Sequence, residues 1–427
     1  MSFEASQLPG GKRLPGTREM VAMLAGLMAL NAFAIDAMIP ALPQIGSDLG
    51  VSDENRRQLV VVAYFIGFGS TQLIWGPLAD RFGRKPILGI GIALYTFFAL
   101  LCANAGSFPL LIAGRLAMGA SAAVTRVLVV AMVRDLFENE EMARVMSLVF
   151  MVFMVVPVLA PSVGQLILLL APWRAIFIVL AAYGVAMLAW SWFRLPETLH
   201  PEFRRTLQWR DMGGAMWETL REPQSRGYTL ALAVTFGGLT AYIASIQQIV
   251  FDAFQAPGAI GWVFGAVAAP MALASWTNSR IVGRFGLRRV GHGGALAFAL
   301  VTAGHAALAL CGGETLTSFI LLQGLAMACF AFTSSNLSTL AMDHMGPIAG
   351  TASSVQGVIG TLGGAAIGFA IGQAFDGTAT PFLIGTAACA AGALLLIVLT
   401  EPRRLFAKKG AGASEPAPTP CVPEDLG

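Results

Sequence analysis

The sequence predicts an all-α integral membrane protein, with twelve transmembrane helices in two related halves of six. Three observations carry this. Of 427 residues, 56% are hydrophobic and only 12% charged, and the mean hydropathy is +0.70; an average soluble domain carries roughly 25% charged residues. So much apolar surface cannot be hidden in a soluble core of this size, which excludes an ordinary globular enzyme. Apolar runs of about 20 residues, the length that crosses a bilayer as helix, recur along the whole chain. Basic residues gather on alternate loops, as the positive-inside rule requires of a multi-pass protein.

The elements follow in order. Residues 1–18 are polar and Gly/Pro-rich, and the apolar run from Val21 to Pro40 is long enough to span rather than to be a cleaved leader. The expected spans are 20–40, 59–79, 86–104, 109–133, 145–170, 173–193, 227–250, 258–280, 290–311, 315–341, 347–375 and 379–399. Their runs are continuous, not alternating, and backbone in hydrocarbon must satisfy itself, so each is read as helix and not as barrel strand. Pro157 and Pro161 are expected to kink span 5. Gly360, Gly364, Gly368 and Gly372 repeat every fourth residue in span 11, a smooth ridge for close helix approach.

The longest loop, 194–226, separates six spans from six. Leu207, Met212, Met216 and Leu220 share one helical face there, flanked by Trp209 and basic residues and stopped by Pro223, as in a helix lying on a membrane surface. The organisation is a cytoplasmic tail (1–18), a first six-helix bundle (19–193), a cytoplasmic linker (194–226), a second bundle (227–400) and a tail of disordered composition (401–427). The halves share a sequence echo after their second spans: Asp80-Arg-Phe-Gly-Arg-Lys-Pro86 and Gly283-Arg-Phe-Gly-Leu-Arg-Arg289.

Placing the N-terminus inside puts Lys12, Arg13, Arg18, Arg81, Arg84, Lys85, Arg134, Arg144, the arginines of the 194–226 loop, Arg280, Arg284, Arg288, Arg289, Arg403, Arg404, Lys408 and Lys409 on the cytoplasmic side. The outer loops hold Arg56, Arg57 and Arg174. Both termini are therefore expected in the cytoplasm. A net charge of +3 does not call for nucleic acid. Five cysteines show neither CxxC nor metal spacing, so no metal site is expected. HExxH and GxxxxGK[ST] are absent, and Gly119-Ala-Ser121-Ala-Ala123 lacks the second glycine of a nucleophile elbow. The chain is read as no enzyme, without a cofactor and without its own ATP drive.

Ionisable groups inside lipid spans are costly and functional by default. They are Asp36 in span 1, Arg115 and Arg126 in span 4 and His305 in span 9. The rise per residue puts Asp36 ~6 Å and Arg115 ~9 Å from the outer end, a depth at which they could form an ion pair or share water. Arg115 would then oppose the desolvation that raises the proton affinity of Asp36, making a reversible proton site. Arg126 follows by three turns on nearly the same face, ~16 Å deeper. Asn31, Arg126, Gln247, Gln323 and Asn336 are the expected polar lining of a substrate cavity. His305, alone on an apolar helix, reads as a packing residue.

These residues resemble the major facilitator superfamily, and within it the proton-driven drug exporters of the Bcr/CflA-like group, over about 19–400. Gly76 to Pro86 (GPLADRFGRKP) is similar to the loop 2–3 signature. Arg115 in RLAMGASAA resembles the buried arginine of span 4. Pro157 to Gln165 (PVLAPSVGQ), with Pro157, Pro161 and Gly164, is similar to the exporter motif of span 5. Ile35 to Pro43 (IDAMIPALP) resembles the Asp-x-x-x-Pro end of span 1. The resemblance implies the major facilitator fold, two pseudo-symmetric six-helix bundles around a cavity that opens alternately to each side. It makes Gly76, Asp80, Arg81, Gly83 and Arg84 a conformational latch, with Asp135 as partner of Arg84. It makes Asp36 the proton or substrate carboxylate and Arg115 its modulator. Where some relatives carry a second acid earlier in span 1, this chain has Met28 and Asn31.

The expected function is a monomeric proton-coupled antiporter of the bacterial inner membrane. It would export small amphipathic compounds, phenicol- or sulfonamide-like and neutral or weakly charged, one proton entering per cycle. Its partners are that small molecule, protons and the lipid bilayer. Proton-coupled uptake of a nutrient or metabolite by the same fold is the alternative.

Overall fold

The computed structural model describes residues 15–137, 139–199, 209–345, 349–402 and 405–406. Most of the expected terminal tails, the start of the 194–226 linker helix and Cys421 lie outside the described residues. Among the described residues there is no strand. The helices are α1 (Thr17–Asp36), α2 (Leu42–Asp48), α3 (Leu59–Phe82), α4 (Arg84–Ala103), α5 (Phe108–Leu136), α6 (Asn139–Leu170), α7 (Arg174–Arg194), α8 (Trp209–Arg221), α9 (Pro223–Gln248), α10 (Ile260–Phe285), α11 (Leu287–Leu310), α12 (Leu316–Ala341), α13 (Ala349–Gln373) and α14 (Thr380–Thr400). Eleven segments among the described residues are long and apolar enough to cross a membrane. The 32-residue α6 is the twelfth long helix, its apolar stretch described over Leu159–Leu170. Spanning helices leave large apolar side chains uncovered, Leu170 82% and Phe193 73% exposed; on a soluble protein these would be a liability, and lipid accounts for them.

The long helices run alternately up and down. One end of the molecule carries the α3–α4 turn and is termed the Gly83 face; the other carries the segment before α3 and is termed the Gln58 face. Within the halves α3 packs on α5 and α9 on α13; α3 with α13 and α6 with α10 join the halves. The span 11 glycines serve this packing. A Cβ on Gly368 would lie 2.7 Å from the backbone nitrogen of Ala241, and one on Gly364 3.0 Å from the Phe236 side chain. Any larger residue would push α9 away.

One expectation changes. The first span does not stop at Pro40. After Asp36 the chain makes a 3-10 turn, Ile39–Ala41, and re-enters helix as α2, so the span reaches Asp48. Pro40 and Pro43 occupy first turns, where a missing N–H costs nothing, so they restart helix instead of ending it. Asp36 therefore lies up to ~18 Å along the chain from the end of the span, deeper than the ~6 Å expected. The α-helix of span 5 continues through positions 157 and 161 without a break.

Candidate functional site

Arg115 organises the centre of the first half. It is 0% exposed on α5. Its Nε donates to the Val60 carbonyl at 2.9 Å and its Nη1 to the Ala34 carbonyl at 3.0 Å. The guanidinium stacks over Tyr64 at 4.6 Å and faces Phe177 at 5.9 Å. Ala34 lies in the last turn of α1, where carbonyls lack an intrahelical donor, so Arg115 caps α1 from α5. The expected Asp36–Arg115 ion pair is not formed in this structure; backbone carbonyls and aromatic faces take the guanidinium instead. Both groups nonetheless retain an unpartnered atom, Arg115 Nη2 and Asp36 Oδ1.

Asp36 closes α1 at 4% exposure. Tyr64 of the first half and Tyr242 of the second both lie within Coulombic range of it. Ile39, three residues on, is buried in the core of the second half with Tyr242, Ile246 and Ile249. On α6, a Cβ at Gly164 would overlap the Ala37 carbonyl oxygen, so only glycine admits α6 this close behind the carboxylate. Asp36 thus sits on the seam between the halves. Sequence reasoning missed Tyr64 and Tyr242, since a tyrosine in a span looks like any other apolar residue.

The expected cavity residues separate into two kinds. Asn31 is spent within the first half, donating to Thr125 Oγ1 at 2.6 Å and accepting from Tyr64 at 3.0 Å. Asn336 is only partly spent within the second: it donates to Asn278 Oδ1 and the Phe332 carbonyl, each at 2.7 Å, while its buried Oδ1 has no partner among the described residues. Gln247, by contrast, is 1% exposed with neither amide atom partnered, and Gln323 is 1% exposed with Nε2 unpartnered. Buried amides left this way await a hydrogen-bonding guest or water. Arg126 is exposed on α5, outside the packed core.

The Gln58 face is closed by carboxamides from both halves. Gln58 Nε2 donates to Gln248 Oε1 and, at 3.0 Å, to the Gly372 carbonyl. Gln248 Nε2 donates to Asn55 Oδ1 at 2.9 Å. Asn55 Nδ2 donates to the carbonyls of Gln373 and Phe375, each at 3.2 Å, and Gln373 Nε2 returns a bond to the Asn55 carbonyl at 2.9 Å. These six bonds all cross between the halves. None of the clasp's side chains is titratable.

At the Gly83 face, Arg84 meets Asp80 at 2.5 Å and Asp135 at 3.1 Å, bringing together three of the expected latch residues. Gly83 has φ 101°, a left-handed conformation that ends α3 and begins α4 without a side-chain penalty. Gly76 is half-buried, and Arg81 rests its guanidinium over Phe82 at 5.1 Å. Glu197, unforeseen, caps α4: it accepts from the backbone of Arg84 at 2.9 Å and of Lys85 at 3.3 Å. The second half repeats the device with different atoms. Glu401 takes a bidentate grip on Arg288 at 2.7 and 2.8 Å and accepts from the Tyr228 hydroxyl at 2.8 Å, while Asp343 lies 3.7 Å from Arg288. Burial works to raise the Glu401 carboxyl, but the bonds from Arg288 and Tyr228 outweigh it and hold the group below the usual carboxylate range. The signal in the sequence was that each glutamate sits beside a proline within three residues of the end of the last helix of its half.

Twelve long helices in two halves, joined along a seam that carries buried polar groups and closed at one end, define a secondary-transporter architecture rather than an enzyme. A sequence model of the Major Facilitator Superfamily matches residues 24–365, and the chain belongs to that family. It is 30% identical over 391 residues to a bicyclomycin resistance protein homolog of Haemophilus influenzae, covering 89% of this chain and 95% of that protein. It is likewise 30% identical to the multidrug resistance protein MdtL of Klebsiella pneumoniae, covering 88% and 94%. In structure it is similar to the xylose transporter XylE of E. coli in a partially occluded inward-open conformation, with TM-score 0.71, 13% identity and coverage of 89% and 97%. The human organic anion transporter MFSD10 aligns with TM-score 0.62 at 18% identity, covering 90% and 99%. The protein is a multi-pass membrane transporter of small molecules.

Proposed function

We propose that this chain is a proton-coupled antiporter that exports small amphipathic compounds across the bacterial inner membrane by alternating access. The observation that carries the reading is Asp36: a buried carboxylate with an unpartnered oxygen, on the seam between the halves, whose expected partner Arg115 forms no ion pair with it and donates instead to backbone carbonyls. Such a group can take and release a proton as its surroundings alternate between wet and dry. An acid locked in an ion pair could not do so at comparable cost. The names of the resistance relatives support export of drugs.

Positive-inside bias makes the Gly83 face cytoplasmic and the Gln58 face outer. The amide clasp then closes the outer end in this conformation. Gln247, Gln323 and Arg126 offer amides and one fixed cation to the guest, a set suited to neutral or weakly anionic compounds. One coupled proton supplies about 2.3 kcal/mol per 100 mV from the electrical part of the gradient. In proteoliposomes, Asp36→Asn is expected to abolish pH-gradient-driven export while keeping the wild-type elution profile and melting temperature within a few degrees. Undiminished gradient-driven export by that variant would overturn the assignment.

A further inference from the structure

On the outer surface of the first half, α4 and α7 part to leave an open groove of ≈ 580 Å³. Its walls run from Pro86 to Ala93 on α4 and from Val185 to Phe193 on α7, about 10–12 Å along each helix at 1.5 Å per residue. Pro86 stands in the first turn of α4, so the groove descends from the Gly83 face into the apolar layer. Gly89 shapes its floor. A Cβ there would lie 2.9 Å from the Trp192 ring, so glycine lets the indole settle against the α4 backbone. The walls are apolar and open, with Ile90 51% and Trp192 48% exposed. Surface of this kind within a span faces hydrocarbon, and a recess two turns long is shaped for an alkyl chain lying along the helices.

The mouth carries charge. Lys85 opens α4, and its Nζ stands 5.4 Å from the centroid of the Trp192 ring that lines the groove. Arg194 closes α7 one residue beyond Phe193, its side chain 56% exposed even while it meets Glu19 at 2.6 Å. Each helix thus brings a cation to the mouth. The neighbouring acids are engaged within the protein. Glu19 grips Arg194, and Glu197 accepts from the backbone N–H groups of Arg84, Lys85, Thr198 and Leu199. A cationic mouth above an apolar groove between membrane helices complements an anionic phospholipid: the phosphate meets the ammonium and one chain fills the groove.

We propose that this groove holds one acyl chain of a phospholipid with a net negative headgroup, its phosphate seated on Lys85. The leaflet it occupies rests on the cytoplasmic assignment of the Gly83 face; the binding itself does not, and it is separate from proton coupling at Asp36. The test is native mass spectrometry of the full-length protein in detergent, titrated with phosphatidylglycerol and with phosphatidylethanolamine of identical chains. Saturable binding of one phosphatidylglycerol, at least tenfold tighter than phosphatidylethanolamine, is expected. Lys85→Gln should bring the two affinities within twofold of each other. Ala93→Trp and Ala189→Trp, which fill the groove from α4 and from α7 at exposed positions, should each weaken phosphatidylglycerol at least fivefold without loss of folding. Leu300→Trp, on the exposed side of α11 in the second half, should leave it unchanged. Equal affinity of the wild type for the two lipids, meaning that the groove takes any chain regardless of charge, overturns the proposal. So does undiminished discrimination in Lys85→Gln, or wild-type binding in the folded groove-filling variants, which would place the lipid elsewhere.

Discussion

Single residues show where reading from sequence succeeds and where it stops. Arg115 and Asp36 stand out because charge in an apolar run is conspicuous. Their partners do not stand out, since a guanidinium has five donors and can be satisfied by carbonyls and rings that every sequence contains. The same holds for Glu401, whose value lies in a grip on Arg288 from the far end of the half. Its carboxyl is held below the usual range in the folded protein, so the charged form contributes stability above the unfolded value of about 4.3. That contribution is lost as pH falls through the lowered folded value. Glu401→Gln leaves Arg288 without its main countercharge and is expected to cost about 3 kcal/mol at pH 7. Thermal melts in detergent should show the gap between wild type and variant closing as pH falls from 5 to 3. A gap independent of pH would mean that Arg288 does not depend on the carboxylate charge.

Elements were legible wherever the apolar run was long, and least so where proline intervenes. Pro40 reads as a terminator in sequence, yet in space it opens the next turn because the chain has already left α1. The consequence reaches the site, for it buries Asp36 more deeply and sets Ala37 against α6. Gly164 is the point of contact, with a Cβ overlapping the Ala37 carbonyl oxygen. Overpacking of this kind costs typically 1–3 kcal/mol. Gly164→Val is expected to lower the melting temperature by several degrees and to lower the transport rate at least tenfold, while Gly261→Ala, which packs on the same helix through the yielding Ser162 side chain, should be milder in both. If Gly164→Val transports at the wild-type rate, α6 and the end of α1 do not need this close approach.

At the scale of the molecule, hydropathy and the placement of basic residues foretold the twelve helices and their division, because lipid imposes those patterns on every residue of a span. The clasp between the halves escaped, because Asn55, Gln58, Gln248 and Gln373 are unremarkable polar residues near helix ends until the fold brings them together. Their chemistry has a consequence for the cycle. Six bonds at about 0.5–1.5 kcal/mol each put the net cost of parting them at roughly 3–9 kcal/mol, which water recovers in part as the face opens. The lower end of that range is close to the roughly 2.3 kcal/mol per 100 mV that one charge gains in crossing the membrane. With no titratable side chain in the clasp, pH cannot open it directly, and under the proposed proton coupling Asp36 would act on it through the Ile39 turn buried in the second half. Two cysteines should therefore decide whether the clasp opens at all. In a background without the native thiols, Asn55→Cys with Gln373→Cys, joined by a short bis-thiosulfonate linker, is expected to stop transport by more than tenfold. Reduction should restore it, and each single variant should work before and after linking. Transport that continues at full rate in the linked double variant would show that the halves do not part at the Gln58 face, and alternating access about this seam would fail with it.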